Sequence, residues 1–180
     1  MKLSPGLRKF VRTAHITFTV GWLGAVAGFL ALAVAGLNSQ DVQLVRAAYL
    51  AMKLITWYII VPFSFVPLLL TGPVLSLGTP WGLFRHYWIL AKLVINFLST
   101  LILLVHLQPI DYLSRAAAEG TLSTADRALQ IQMIIASGAA LVALLVATAL
   151  AVYKPRGMTQ YGWRKQYEER TPSQDIDVVS

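Results

Sequence analysis

The sequence predicts an all-α protein, a four-helix transmembrane bundle with both termini in the cytoplasm. Three observations predict it. The 180-residue chain is 57% hydrophobic and 13% charged, whereas a soluble domain carries about 25% charged residues. Its mean hydropathy is +0.63. Its apolar residues fall into four long runs, each near the ~20 residues that a helix needs to cross a bilayer. The spans are expected at about 13–37, 47–77, 81–107 and 127–153. Residues 1–157 then form one transmembrane domain, and 158–180 a cytoplasmic tail that is partly disordered.

The first run, His15 to Leu37, follows Lys2, Arg8, Lys9 and Arg12. Ser4-Pro5 is a helix start, Ser as N-cap and Pro in the first turn. Ala33-Val34-Ala35 has the look of a signal-peptidase site, but the run exceeds the ~7–15 residues of a signal h-region, so a retained span is expected. Gly24 and Gly28 form a GxxxG pair that lets two backbones approach closely. Packing inside the bundle is the expected use, and a homodimer or another membrane partner the alternative.

The second run, Ala47 to Leu70 with an extension toward Leu77, contains Pro62, Pro67 and Pro73. Each proline removes a backbone hydrogen bond that lipid cannot replace, so a kinked or broken helix is expected. The third run, Trp81 to Leu107, has a start at Thr79-Pro80 and a stop at Pro109. Ile110 to Glu119 reads as a short surface helix ending at Gly120. The fourth run, Ile131 to Tyr153, ends at Lys154-Pro155. Ser123 and Asp126 form a capping box that opens its helix early. A small-residue face runs through Ser137, Gly138, Ala140, Ala143 and Ala147.

The net charge is +7, and the basic residues sit beside the apolar runs. That distribution suits anionic lipid headgroups rather than nucleic acid. Four basic residues flank the N-terminal side of span one, and Lys154, Arg156, Arg164 and Lys165 follow span four. The first and third loops hold Arg46, Arg115 and Arg127, offset by Asp41, Asp111, Glu119 and Asp126. The positive-inside rule therefore places both termini inside.

No cysteine is present, which excludes disulfides, thiolate metal sites and cysteine nucleophiles. The chain has no phosphate-binding loop, zinc-protease or nucleophile-elbow motif. No acidic residue lies within the four apolar cores, so a carboxylate proton relay is not expected.

Ionisable groups inside spans are costly and mark function or a partner. They are His15, Lys53, His86, Lys92 and His106. His15 and His86 are expected at similar depth near the cytoplasmic face. His106 lies twenty residues past His86, roughly 30 Å away. If spans one and three are neighbours, His15 and His86 could be axial ligands of a b-type haem iron, with Trp22 and Trp88 lining the porphyrin. The bland alternative is two histidines that hydrogen-bond headgroups or carbonyls. Lys92 is six residues past His86, about 9 Å deeper. It is expected to face the interior within reach of Asn96. Lys53 is expected to be structural, snorkelling outward.

The first span reads Ala14-His15-Ile16-Thr17-Phe18-Thr19-Val20-Gly21-Trp22-Leu23-Gly24. It resembles the His-x6-Trp-x-Gly opening of two bacterial membrane families, the copper-resistance D type and the membrane-bound protoporphyrinogen oxidase of haem biosynthesis. Trp88-Ile89-Leu90-Ala91-Lys92-Leu93 is similar to that oxidase's third-span Trp-x3-Lys-Leu helix. The resemblance implies bound haem and essential roles for His15 and Lys92. Over its whole length, including Gly82-Leu83-Phe84-Arg85-His86-Tyr87-Trp88 and Tyr153-Lys154-Pro155-Arg156-Gly157, the chain resembles a family of small four-span bacterial membrane proteins without a settled function. That implies the bacterial inner membrane.

The expected function is thus a membrane protein binding haem b near the cytoplasmic face, for electron transfer or porphyrin chemistry. A non-catalytic accessory subunit, or a small transporter or copper-handling protein, is the alternative. Copper is disfavoured because Met1, Met52, Met133 and Met158 are scattered.

Overall fold

The computed structural model describes residues 4–77, 86–153 and 157–170. Helix α1 is Pro5–Asn38, with Pro5 in its first turn and the Ser4 side chain accepting a hydrogen bond from the Leu7 amide. Ser39 to Asp41 turn the chain, and Asp41 caps α2, Val42–Ile55, by accepting from the Gln43 amide at 2.9 Å. Span two continues through a π-helical turn Thr56–Ile60, α3 Val61–Phe65, a second π-helical turn Val66–Thr71, and α4 Gly72–Leu77. Helix α5 is Tyr87–Glu119, α6 is Arg127–Tyr153 after a 3-10 turn at Thr124–Asp126, and α7 is Gln160–Arg170.

Four helices are long and apolar enough to cross a membrane, and the described residues contain no strand. Helix α1 packs on α2 and α6, and α5 packs on the same two. The spans therefore form a ring in which one and three face each other across the diagonal. That differs from the neighbour relation a direct His15–His86 pairing was expected to need.

Span two widens where its prolines fall. Pro62 and Pro67 have no N–H to give, and the chain answers by widening. The Val61 amide reaches the Thr56 carbonyl, and the Gly72 amide the Pro67 carbonyl, both five residues back. Single π turns of this kind absorb a lost hydrogen bond without opening the helix. Gly72 is required there, because a Cβ would collide with the Pro67 carbonyl oxygen.

Pro109 does not stop span three. Helix α5 runs through it to Gly120, whose φ of 70° makes the left-handed cap. The extension is held by burial: Ile110, Leu113 and Ala117 join Tyr49 and Met52 of α2 in the core. The surface helix expected at 110–119 is thus the last two turns and more of α5. At the other end, His86 is extended, φ −129° and ψ 134°, so α5 begins at Tyr87. The start expected at Thr79-Pro80, the stop at Lys154-Pro155 and the tail 171–180 lie outside the described residues. Within the polar tail, Gln160–Arg170 is helical, capped by Thr159, whose hydroxyl accepts from the Gly162 amide at 3.0 Å.

The core follows helical periodicity. Trp22, Val26, Phe29 and Ala33 form the inner stripe of α1, meeting Met52 and Ile60 of span two and Met133 and Leu144 of α6. Close approach falls at Gly21, beside the Phe63 ring, and at Gly36, where an added Cβ would stand 3.0 Å from Tyr49 Cε2. Gly24 and Gly28 have open space where a side chain would go, among the described residues. They face away from the bundle, contrary to the expected internal packing. Ser137 and Ala147 do face the core, whereas Gly138 does not.

The bilayer can be located from the surface. On α5, Val94, Phe97, Leu98, Leu101, Ile102 and Val105 are all exposed, a lipid-facing band that water would penalise. Lys92 and Asp111 bound that band. They are nineteen residues apart, about 28 Å along a helix, which matches a ~30 Å hydrocarbon slab. At 33 residues, α5 is ~50 Å long, so it projects past the slab. Its C-terminal part, with the start of α2, forms a packed cap at the far face.

Candidate functional site

The second π turn of span two makes the site. It presents Thr71 toward α1, where His15 Nδ1 lies 2.8 Å from Thr71 Oγ1. The Thr71 hydroxyl donates to the Val66 carbonyl at 3.4 Å. The 2.8 Å contact holds the His15 ring through Nδ1 and leaves Nε2 with no hydrogen bond among the described residues. Thr19 ties down the backbone of His15, donating to its carbonyl at 2.8 Å.

Lys92 comes to the same level. Its Nζ lies 4.6 Å from the centre of the Trp88 ring, and its charge acts on the His15 ring. The depth expected for Lys92 counted Cα positions. Helical side chains lean toward the N-terminus, and a four-carbon stem carries the ammonium back a full turn to Trp88. The lysine thus snorkels toward the near face instead of pointing into the deep interior. Asn96 holds Thr100, whose hydroxyl donates to its carbonyl at 2.9 Å.

His86 stacks on Trp88, ring centres 6.2 Å apart and planes 28° apart. Its Nδ1 lies 3.4 Å from the Gly157 carbonyl, and its backbone pairs with Met158. His86, Trp88 and Lys92 thus form one run of contacts at this end of the bundle, and His15 and Thr71 another. Trp22 is elsewhere. It is 2% exposed in the core, seven residues past His15, and it lines a mid-bundle cavity of about 60 Å³ with Thr56, Ser137 and His106. His106 donates from Nδ1 to the Ile102 carbonyl at 2.7 Å, and its Nε2 accepts from Gln132 at 3.4 Å. Among the described residues, no three histidine or acidic side chains converge as a polydentate metal centre.

At the far face Lys53 pairs with Asp111, Nζ to Oδ1 at 3.1 Å. Trp57 Nε1 donates to the same oxygen at 3.3 Å. Sequence reading missed both Asp111 and Thr71, since neither has a local pattern to mark its partner more than fifty residues away. The only clue to Thr71 was a hydroxyl between Pro67 and Pro73.

No family model, curated protein or solved structure matches the chain.

Proposed function

We propose that this is a multi-pass protein of the bacterial inner membrane, with both termini cytoplasmic, whose His15 end binds b-type haem for electron transfer or porphyrin chemistry. The observation that carries the reading is the His15–Thr71 hydrogen bond. An imidazole held at Nδ1 by a hydroxyl, with no hydrogen bond at Nε2 among the described residues, has the form of an oriented metal ligand. The other groups at this end fit a haem as well. Lys92 offers a cation for a propionate carboxylate. Haem would supply one-electron chemistry at its iron, tuned by the axial ligand and its hydrogen bonds. The chain's part is to orient the His15 ring through Thr71, to hold a propionate with Lys92, and to keep water from the apolar side of the site. In this reading Lys92 is the partner of His15, and His86 contacts the Gly157–Met158 segment. The positive-inside rule supports the orientation, with Arg8, Lys9 and Arg12 beside His15.

The test is the absorption spectrum of protein purified after expression with added haem precursor. The wild type should show a Soret band. His15→Ala should abolish it, Lys92→Met should weaken haem retention about tenfold, and His86→Ala should leave the band in place. A colourless wild type, or a His15→Ala protein with an undiminished band, would overturn the reading.

The second reading, an accessory subunit without chemistry, has one observation in its favour. The Gly24–Gly28 pair faces outward, where it suits a homodimer or another membrane helix.

A further inference from the structure

The far face carries a second polar site that the haem reading does not use. Lys53, Leu54, Trp57, Tyr58 and Asp111 surround an open recess of about 340 Å³. Its ion pair is only half covered, the Lys53 and Asp111 side chains being 39% and 30% exposed. Both charges retain unused capacity. Lys53 directs one of its three N–H donors at Asp111. Asp111 Oδ1 accepts from both Lys53 and Trp57, and its Oδ2 has no partner among the described residues. Trp57 and Tyr58 are 43% and 75% exposed, so two aromatic faces border the recess. Asp111 marks the far boundary of the apolar band on α5, at the level where lipid headgroups begin.

We propose that this recess binds the headgroup of a zwitterionic phospholipid bearing a primary ammonium, a phosphoethanolamine headgroup. The occupant must carry both signs, because the recess offers an anion and a cation side by side. A purely anionic headgroup would satisfy Lys53 and meet the Asp111 carboxylate. Phosphate oxygens take the spare N–H donors of Lys53 as charge-assisted hydrogen bonds. The ammonium donates to Asp111 Oδ2 and lies against the aromatic rings. A trimethylated ammonium has no N–H to give Oδ2, so Asp111 selects the primary amine over choline.

The experiment is native mass spectrometry of the full-length protein released from nanodiscs of equimolar phosphatidylethanolamine, phosphatidylcholine and phosphatidylglycerol. The ethanolamine lipid should be retained about fivefold over choline lipid, equivalent to ~1 kcal/mol. Asp111→Asn should bring that ratio near one. Successive N-methylation of the lipid should lower retention stepwise in the unaltered protein, which requires no variant to fold. Equal retention of ethanolamine and choline lipids, preference for the glycerol lipid, or an unchanged ratio in Asp111→Asn would each overturn the proposal. The Soret band should be unaffected by Asp111→Asn, so failure here is distinguishable from failure of the haem reading.

Discussion

Thr71 is the residue on which the His15 site depends. It contributes one hydroxyl, which lies 2.8 Å from His15 Nδ1 and 3.4 Å from the Val66 carbonyl. Replacing it with valine keeps the shape and removes the hydrogen bond to His15. Thr71→Val should reduce haem retention about tenfold, the usual cost of removing a partner that orients a metal ligand, while the thermal midpoint moves little. Titration of detergent-purified protein with haem measures it, and equal affinity would show that His15 needs no orientation. His15 and Lys92 stand out in the sequence because charged and imidazole side chains are rare in apolar runs. Thr71 does not, since a threonine in a span is ordinary and its partner is 56 residues away. The Lys92 level also escaped a count of Cα positions, because the side chain leans back toward the start of its helix.

At the scale of elements, span two is widened at its prolines, and the sequence shows where but not how. Proline requires that a carbonyl lose its amide; whether the helix breaks or widens is decided by what packs around it. Here two π turns keep the span continuous, and Gly72 makes room for the displaced Pro67 carbonyl. Gly72→Ala should therefore cost about 1–3 kcal/mol, the range for forcing a methyl into filled space. Gly6→Ala, at a position where an added Cβ meets nothing among the described residues, is the control. Thermal unfolding in one detergent should separate the two, and matched midpoints would mean that the second π turn tolerates a side chain. Pro109 carries the complementary lesson. Read locally it is a helix stop, yet burial of Ile110, Leu113 and Ala117 outweighs the single hydrogen bond it removes. Helix ends set by tertiary burial are not legible in local pattern, whereas ends set by local chemistry are. The Ser4 cap, the Ser123–Asp126 box and Gly120 all fall where their residue types put them.

At the scale of the molecule, four apolar runs sufficed to predict the four-helix bundle, because length and hydropathy are properties of each run alone. The ring order was not available that way. Which spans touch depends on faces that apolar helices do not label, and the bundle sets spans one and three across the diagonal from each other. What the assembled bundle adds is a frame with two polar levels. His15, Thr71 and Lys92 stand at one boundary of the apolar band, Lys53 and Asp111 at the other, about 28 Å apart. The account requires that these levels lie at opposite faces of the membrane, the His15 level inside. Because the chain contains no cysteine, single cysteines report on this directly. The measurement is labelling of Gly6→Cys, Ala125→Cys and Gly157→Cys in intact cells with a membrane-impermeant maleimide. Ala125→Cys should react from outside, and the other two only after permeabilisation. Labelling of Gly6→Cys or Gly157→Cys in intact cells, or protection of Ala125→Cys until the cells are opened, would contradict it.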